Sequence, residues 1–219
     1  MMNEKMESYL DSLIPSRKGL FAEMEQYAND FNVPIMEPEG IEALLQIIRL
    51  SRPKAILEVG TAIGYSALRM AEAASEAKIV TIERDEERIV KAKEYIKKAG
   101  KQEQVLLLEG DALELAELVK EHGPFDAIFI DAAKGQYRRF FELYESVLQS
   151  NGIIVTDNVL FKGLVAEDEE SIEPKRIRSL VRKIKEYNEW IMNHPRYHTV
   201  ILPIGDGVAI SKHRGEKSI

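Results

Sequence analysis

The sequence predicts a doubly wound α/β fold, an open and mainly parallel sheet with helices on both faces. Three observations carry that expectation. From Ala55 onward, short apolar, β-branched runs alternate with longer helical patterns, the signature of repeated strand-helix-strand units. Each of the first five runs is nearly continuous in apolar residues, as strands covered on both faces are. The last two runs break the alternation, because only Ile204, Gly205 and Asp206 separate them, which is a hairpin spacing.

In order, the strand candidates are Ala55 to Gly60, Lys78 to Glu83, Gln104 to Gly110, Phe125 to Asp131 and Gly152 to Asp157. Between them, Tyr65 to Ala74, Asp85 to Ala99, Leu113 to Glu121 and Tyr137 to Leu148 carry helix formers with apolar residues three or four apart. These segments predict the crossover helices. A charged helix follows from Pro174 to Met192, and Tyr197 to Pro203 with Gly207 to His213 ends the sheet as an antiparallel pair. Residues 1–50 contain no strand candidate and read as a helical cap, broken at Pro34 and Pro38 before a helix from Glu39 to Leu50. At 219 residues and 45% hydrophobic content the chain fills one sizeable core. A single domain over 1–219 is therefore expected, with the cap at 1–50 and the core at 51–219.

Composition removes several function classes. The absence of cysteine excludes disulfides, thiolate metal sites and a cysteine nucleophile. The apolar runs are strand-sized and far short of a membrane span, and charges interrupt the first thirteen residues where a signal peptide would need an apolar core. A cytoplasmic protein without membrane contact is expected. The formal net charge of −7 argues against coating nucleic acid through bulk charge. A local basic surface remains, since Lys175, Arg176, Arg178, Arg182, Lys183 and Lys185 follow one another with no acidic residue among them. The ordinary alternative for such a stretch is a solvated helix face.

The residues that suggest chemistry fall at the carboxyl ends of the strand candidates. Glu58 to Ser66 joins the first strand to a helix, and Gly60 and Gly64 allow a tight turn with close backbone approach to a ligand. The loop departs from G-x-G-x-x-G, which weakens a pyrophosphate reading without closing it. Glu83 ends the second strand, where an acidic residue commonly accepts hydrogen bonds from ribose hydroxyls. Asp131 ends the fourth strand, with Lys134 soon after, and Asp157 and Asn158 end the fifth. In an open parallel sheet these ends meet over one crevice, where two carboxylates and an amide are hard donors suited to Mg²⁺. A lone strand-end aspartate is more often a helix cap, so the weight lies on the set. His122, His194, His198 and His213 show no metal-like spacing and read as structural or exposed.

Taken together, LEVGTAIGYSAL, TIERD, IDAAK, VTDNVL and the preceding VPIMEPEG resemble the motifs of the cation-dependent O-methyltransferases, the family of catechol and caffeoyl-coenzyme A O-methyltransferases. The resemblance runs from about residue 30 to 211. It implies the seven-stranded class I methyltransferase version of the doubly wound sheet, with an antiparallel last strand. It further implies that Met36, Glu58, Gly60, Ser66, Glu83, Asp111 and Asp131 surround S-adenosylmethionine, and that Asp131, Asp157 and Asn158 hold Mg²⁺ or Mn²⁺. Lys134 falls where that family has a lysine that helps to deprotonate the acceptor, and Asp131 shares the catalytic role. A homodimer is also implied.

The chemistry implied is methylation of one of two adjacent oxygens that together chelate the cation. Catechols and caffeoyl esters have such a pair, and so does 5-hydroxyuridine. The chain is similar to bacterial members of the family that convert 5-hydroxyuridine in tRNA to 5-methoxyuridine. On that reading the acceptor is in the anticodon loop, and Arg176, Arg178 and Arg182 meet its phosphates. The sequence favours tRNA over a small phenol. A regulatory binding protein without turnover is disfavoured by the intact set of Asp131, Lys134, Asp157 and Asn158.

Overall fold

All seven strand candidates form strands in the computed structural model, which describes residues 4–214. The ends of the expected domain, residues 1–3 and 215–219, lie outside the described residues. Three helices precede the sheet: α1 (Glu4–Leu13), α2 (Leu20–Asp30) and α3 (Pro38–Ser51). Pro38 suits the first turn of α3, where its missing N–H costs nothing. Ile41, Leu44, Leu45 and Ile48 then recur at helical spacing and are buried against the sheet. Each such side chain contributes roughly 1.5–3 kcal/mol by leaving water.

The core alternates as expected: β1 (Ala55–Val59), α4 (Tyr65–Ala73), β2 (Lys78–Glu83), α5 (Glu86–Lys98), β3 (Val105–Glu109), α6 (Ala116–Lys120) and β4 (Phe125–Ile130). It continues through α7 (Tyr137–Tyr144), β5 (Leu148–Thr156), α8 (Lys175–Met192), β6 (Tyr197–Leu202) and β7 (Val208–His213). The strand order is β3-β2-β1-β4-β5-β7-β6. The first five strands are parallel, and β7 runs antiparallel to both neighbours.

Side-chain alternation divides the interior into two cores, one on each face. Ile56, Ile79, Phe129 and Val155 pack under α2 to α5, while Leu57, Val80, Ile128 and Ile154 pack under α6 to α8. Two boundaries differ from the sequence expectation. The helix expected to reach Leu148 ends at Tyr144 and passes through a 3-10 turn, so β5 begins at Leu148 rather than Gly152. The added segment pairs Phe125 with Leu148 and then slips register, leaving Gln149, Ser150 and Asn151 exposed. The helix expected from Leu113 starts at Ala116, because the Asp111 side chain accepts from Leu113 N–H in a local turn instead.

Strand order reverses between β1 and β4, whose carboxyl ends therefore open a crevice that loops from both directions line. No helix among the described residues is long and apolar enough to cross a membrane.

Candidate active site

A cavity of about 740 Å³ lies at that crevice, within the ~300–1,000 Å³ typical of small-molecule sites. Met36 from the cap closes one side, and the turns after β1 to β5 supply the floor.

The half over β1 to β3 is held by main-chain bonds. Gly60 and Thr61 N–H groups both donate to Ile82 O at 3.1 Å, tying the glycine turn to β2. Gly60 has φ +103°, and a Cβ there would stand 2.1 Å from the Asp131 carbonyl oxygen. Its missing side chain therefore serves close approach of β1 to β4, where the sequence suggested approach to a ligand. Glu83 accepts from Ala62 N–H at 2.8 Å through one oxygen, and from Arg84 and Asp85 N–H at 2.9 and 3.0 Å through the other. The oxygen that accepts from Ala62 alone keeps a second lone pair, and the residue faces the cavity. Asp111 accepts from Leu113 N–H at 2.9 Å and from Arg84 Nη1 at 3.0 Å. These bonds, the backbone one first, hold its carboxyl below the usual range.

Glu58 and Ser66 do not line the cavity. Glu58 is fully buried beneath the turn, where it accepts from Ser66 Oγ at 2.5 Å and from Thr81 Oγ1. Thr81 in turn contacts Thr61 Oγ1 at 2.5 Å. Burial pushes the Glu58 carboxyl up to about 7, against the opposing hydrogen bonds from Ser66 and Thr81. The direct cofactor contact expected for both residues becomes support from behind the wall, because their side chains are spent on each other and on β2.

The half over β4 and β5 is built from side chains. Asp157 is 2% exposed, and burial together with the charge of Asp131 raises its carboxyl. Burial likewise raises Asp131, with the Lys134 ammonium opposing. Asn158 adopts φ +57°, a left-handed turn that asparagine tolerates, and its Nδ2 donates to Asp157 Oδ2 at 3.0 Å. Its Oδ1 accepts from Lys134 Nζ, and that ammonium lies 5.9 Å from the Phe161 ring centre. The structure thus brings Asp131, Lys134, Asp157 and Asn158 together as expected.

The donor chemistry fits a hard divalent cation. No group of three or more His, Cys, Asp or Glu placed to hold a metal occurs among the described residues; the two carboxylates have the Asn158 amide oxygen as a third hard donor close by. One further group fits: the Tyr137 hydroxyl, which feels the charges of Asp131 and Asp157, is buried and has no hydrogen-bond partner among the described residues.

Of the residues expected to surround the cofactor, Met36, Gly60, Glu83, Asp111 and Asp131 line the cavity. Arg178 does not reach outward. It donates to Ile172 O at 3.0 Å and pairs with Glu173 at 2.6 Å, fastening the loop before α8. Arg176 and Arg182 are exposed on α8. The sequence reading missed Phe140, Phe161, Lys162, Gly205 and Asp206 on the cavity wall. The last three meet because Leu160 N–H and Lys162 N–H donate to Asp206, at 2.8 Å to its carbonyl and 3.1 Å to its carboxylate. The hairpin spacing was the available signal for that turn. Of the histidines, His194 is buried among Phe141, Trp190 and Tyr197, while His122 and His198 are exposed.

Comparisons with known proteins agree with this geometry. A Vitis vinifera flavonoid 3',5'-methyltransferase is 33% identical over 87% of this chain and 82% of its own length. The structure of a candidate caffeoyl-CoA O-methyltransferase from Staphylococcus aureus superposes with a TM-score of 0.88 at 38% identity, covering 94% of this chain and 98% of that one. An SAH-bound methyltransferase from Podospora anserina gives 0.83 at 26% identity, covering 96% and 94%. The sequence profile of the O-methyltransferase family matches residues 17–214. The chain therefore belongs to the O-methyltransferase family and is an S-adenosylmethionine-dependent enzyme of the caffeoyl-CoA O-methyltransferase type.

Proposed function

We propose that this enzyme methylates one of two adjacent oxygens on a small aromatic acceptor, a catechol-type phenol or its coenzyme A thioester, with Mg²⁺ or Mn²⁺ held by Asp131, Asp157 and Asn158. The observation that carries the reading is the gathering of these three oxygen donors, with Lys134 and the Phe161 ring, at one end of the cofactor cavity. When bound, S-adenosylmethionine supplies an activated methyl group and the cation lowers the pKa of the acceptor oxygen.

The chain's own residues orient and exclude. Glu83 keeps a free lone pair on the oxygen that accepts from Ala62, open to a ribose hydroxyl, and Asp111 faces the same space. Glu58 and Ser66 hold the glycine turn from behind. Phe161 offers an apolar face to an aromatic acceptor, and Lys134 stabilises the acceptor oxyanion as an ammonium or takes the acceptor proton as a neutral amine. The names of the relatives favour a phenolic acceptor, which reverses the order of preference drawn from the sequence.

A second reading, 5-hydroxyuridine in tRNA, draws on one feature. Lys175, Arg176, Arg182 and Lys183 are exposed along one side of α8, and the Lys183 stem lies beside Gly135, next to Lys134. A methyl-transfer assay with labelled S-adenosylmethionine against a catechol panel and total tRNA, each with and without EDTA, separates the readings. Label is expected in the small acceptors and not after chelation. Label confined to tRNA, reduced by Arg176→Glu with Arg182→Glu, selects the second reading. Turnover untouched by exhaustive chelation rejects the cation assignment.

A further inference from the structure

Tyr137 opens α7 immediately after the Asp131 to Lys134 turn and is 1% exposed. Its ring packs on Tyr187 with centroids 5.4 Å apart. The two hydroxyls fare differently. That of Tyr187 is bonded to Thr156 Oγ1 at 2.8 Å, whereas that of Tyr137 has no partner among the described residues. Burial, and then the charges of Asp131 and Asp157, hold the Tyr137 phenol well above its ordinary value, with Tyr187 and Asp206 adding to the effect. Tyr137 thus lies three residues after Lys134 and against the ring whose hydroxyl bonds Thr156, the neighbour of Asp157, and its own hydroxyl is a donor left over in that layer.

A buried, unpaired hydroxyl destabilises a protein by roughly 1–3 kcal/mol, so an orphan of this kind asks for a reason. Phenylalanine would pack equally well against Tyr187 without that cost. Metal-binding carboxylates, in contrast, need hydrogen bonds to their remaining oxygens to fix their orientation. In the structure Asp157 Oδ2 has a donor in Asn158 Nδ2, and that amide is itself held by Lys134. Were Asn158 Oδ1 to serve a cation, its contact with Lys134 would be lost, and beyond the Asn158 backbone donor to Asp157 a further fixed donor would steady the carboxylates.

We infer that Tyr137 is a positioning residue for the cation site, its hydroxyl donating to a carboxylate oxygen of Asp131 or Asp157 once these residues ligate a divalent cation. The inference rests on the cation reading proposed above. It predicts opposite signs for two measurements on one variant. In chelated protein, Tyr137→Phe removes an unpaired group, so its melting temperature stays level or rises. In the same variant the affinity for Mn²⁺, read from the free-ion electron paramagnetic resonance signal, falls about tenfold or more. Tyr187→Phe serves as a control, because its hydroxyl is already bonded to Thr156, and it leaves Mn²⁺ affinity within about twofold on the same reasoning. Equal Mn²⁺ affinity in Tyr137→Phe and wild type overturns the inference alone. A lower melting temperature for chelated Tyr137→Phe also overturns it, since the hydroxyl would then have a partner without the cation. No Mn²⁺ binding by the wild type overturns the inference and the cation reading together.

Discussion

Over β1, β2 and β3 the acidic side chains of the cavity wall are held chiefly by main-chain N–H groups, whereas over β4 and β5 the polar side chains are held chiefly by one another. Glu83 takes three backbone donors and Asp111 takes one with a guanidinium, so both carboxylates are fixed before a ligand arrives. Asp157 has one backbone donor, in Asn158, but Asn158 and Lys134 are bonded to each other through their side chains, and the Tyr137 hydroxyl has no partner among the described residues. A pocket of the first kind is preorganised and binds without reorganising. A pocket of the second kind depends on added charge to set its geometry. Variants in the first half should change cofactor affinity, and variants in the second should change turnover.

The largest effect tests the second half. Loss of the partner behind a metal ligand costs ~10–100-fold, so if Asp157 is a direct donor, as proposed, Asp157→Ala should reduce turnover about a hundredfold or more. SAH affinity, measured by calorimetry, should stay within a few-fold because Asp157 is not part of the main-chain-fastened half. A parallel collapse of SAH binding would show that the two halves do not act separately.

Gly60 joins the halves, and its substitution should break both. The left-handed φ of +103° costs an alanine about 1–3 kcal/mol, and overlap with the Asp131 carbonyl at 2.1 Å adds to that. Gly60→Ala should lower the urea midpoint and weaken SAH binding and turnover together. Unchanged stability would mean that β1 and β4 can part cheaply, against the packing described above.

Glu83→Ala isolates the first half. Loss of charge-assisted hydrogen bonds should weaken SAH binding by ~1.5–3 kcal/mol, while kcat at saturating cofactor changes little. A fall in kcat with unchanged affinity would move Glu83 from binding to chemistry.

The same contrast explains what the sequence revealed. Strands covered on both faces are continuous apolar runs, and Asp131, Asp157 and Asn158 end such runs, so their meeting follows from topology alone. A glycine motif, however, does not say which neighbour needs the missing Cβ, and at Gly60 that neighbour is Asp131. Glu58 and Ser66 match a motif, yet whether they face the cavity or one another depends on the side to which β1 turns alternate residues. Arg178 reads as a free cation because its partners, the carbonyls of Glu170 and Ile172, leave no mark in a sequence. Phe161 and Lys162 reach the wall only because the β6–β7 turn holds their loop, a tertiary contact. The early start of β5 was hidden because Leu148 suits a helical pattern as well as a strand.

The smallest effect concerns the buried layer under the first half. Glu58 has an ordinary value of 4.5 and is pushed up to about 7 by burial, so between these values the folded chain holds a proton that the unfolded chain releases. Its contribution to stability is therefore complete below 4.5, falls as pH rises through 7, and is lost above that. A protonated Glu58 can donate to Thr81 Oγ1, which then donates to Thr61, and the amide of Glu58→Gln can do the same at every pH. The wild type should thus lose stability relative to Glu58→Gln on going from about pH 6 to about pH 8, by on the order of 1 kcal/mol or ~2–4 °C. Asp131 and Asp157 titrate in both proteins, so the difference between the two melting curves reports Glu58. Parallel curves across that interval would mean that Glu58 is ionised in the fold at pH 6, and that the layer beneath the glycine turn is a charged network.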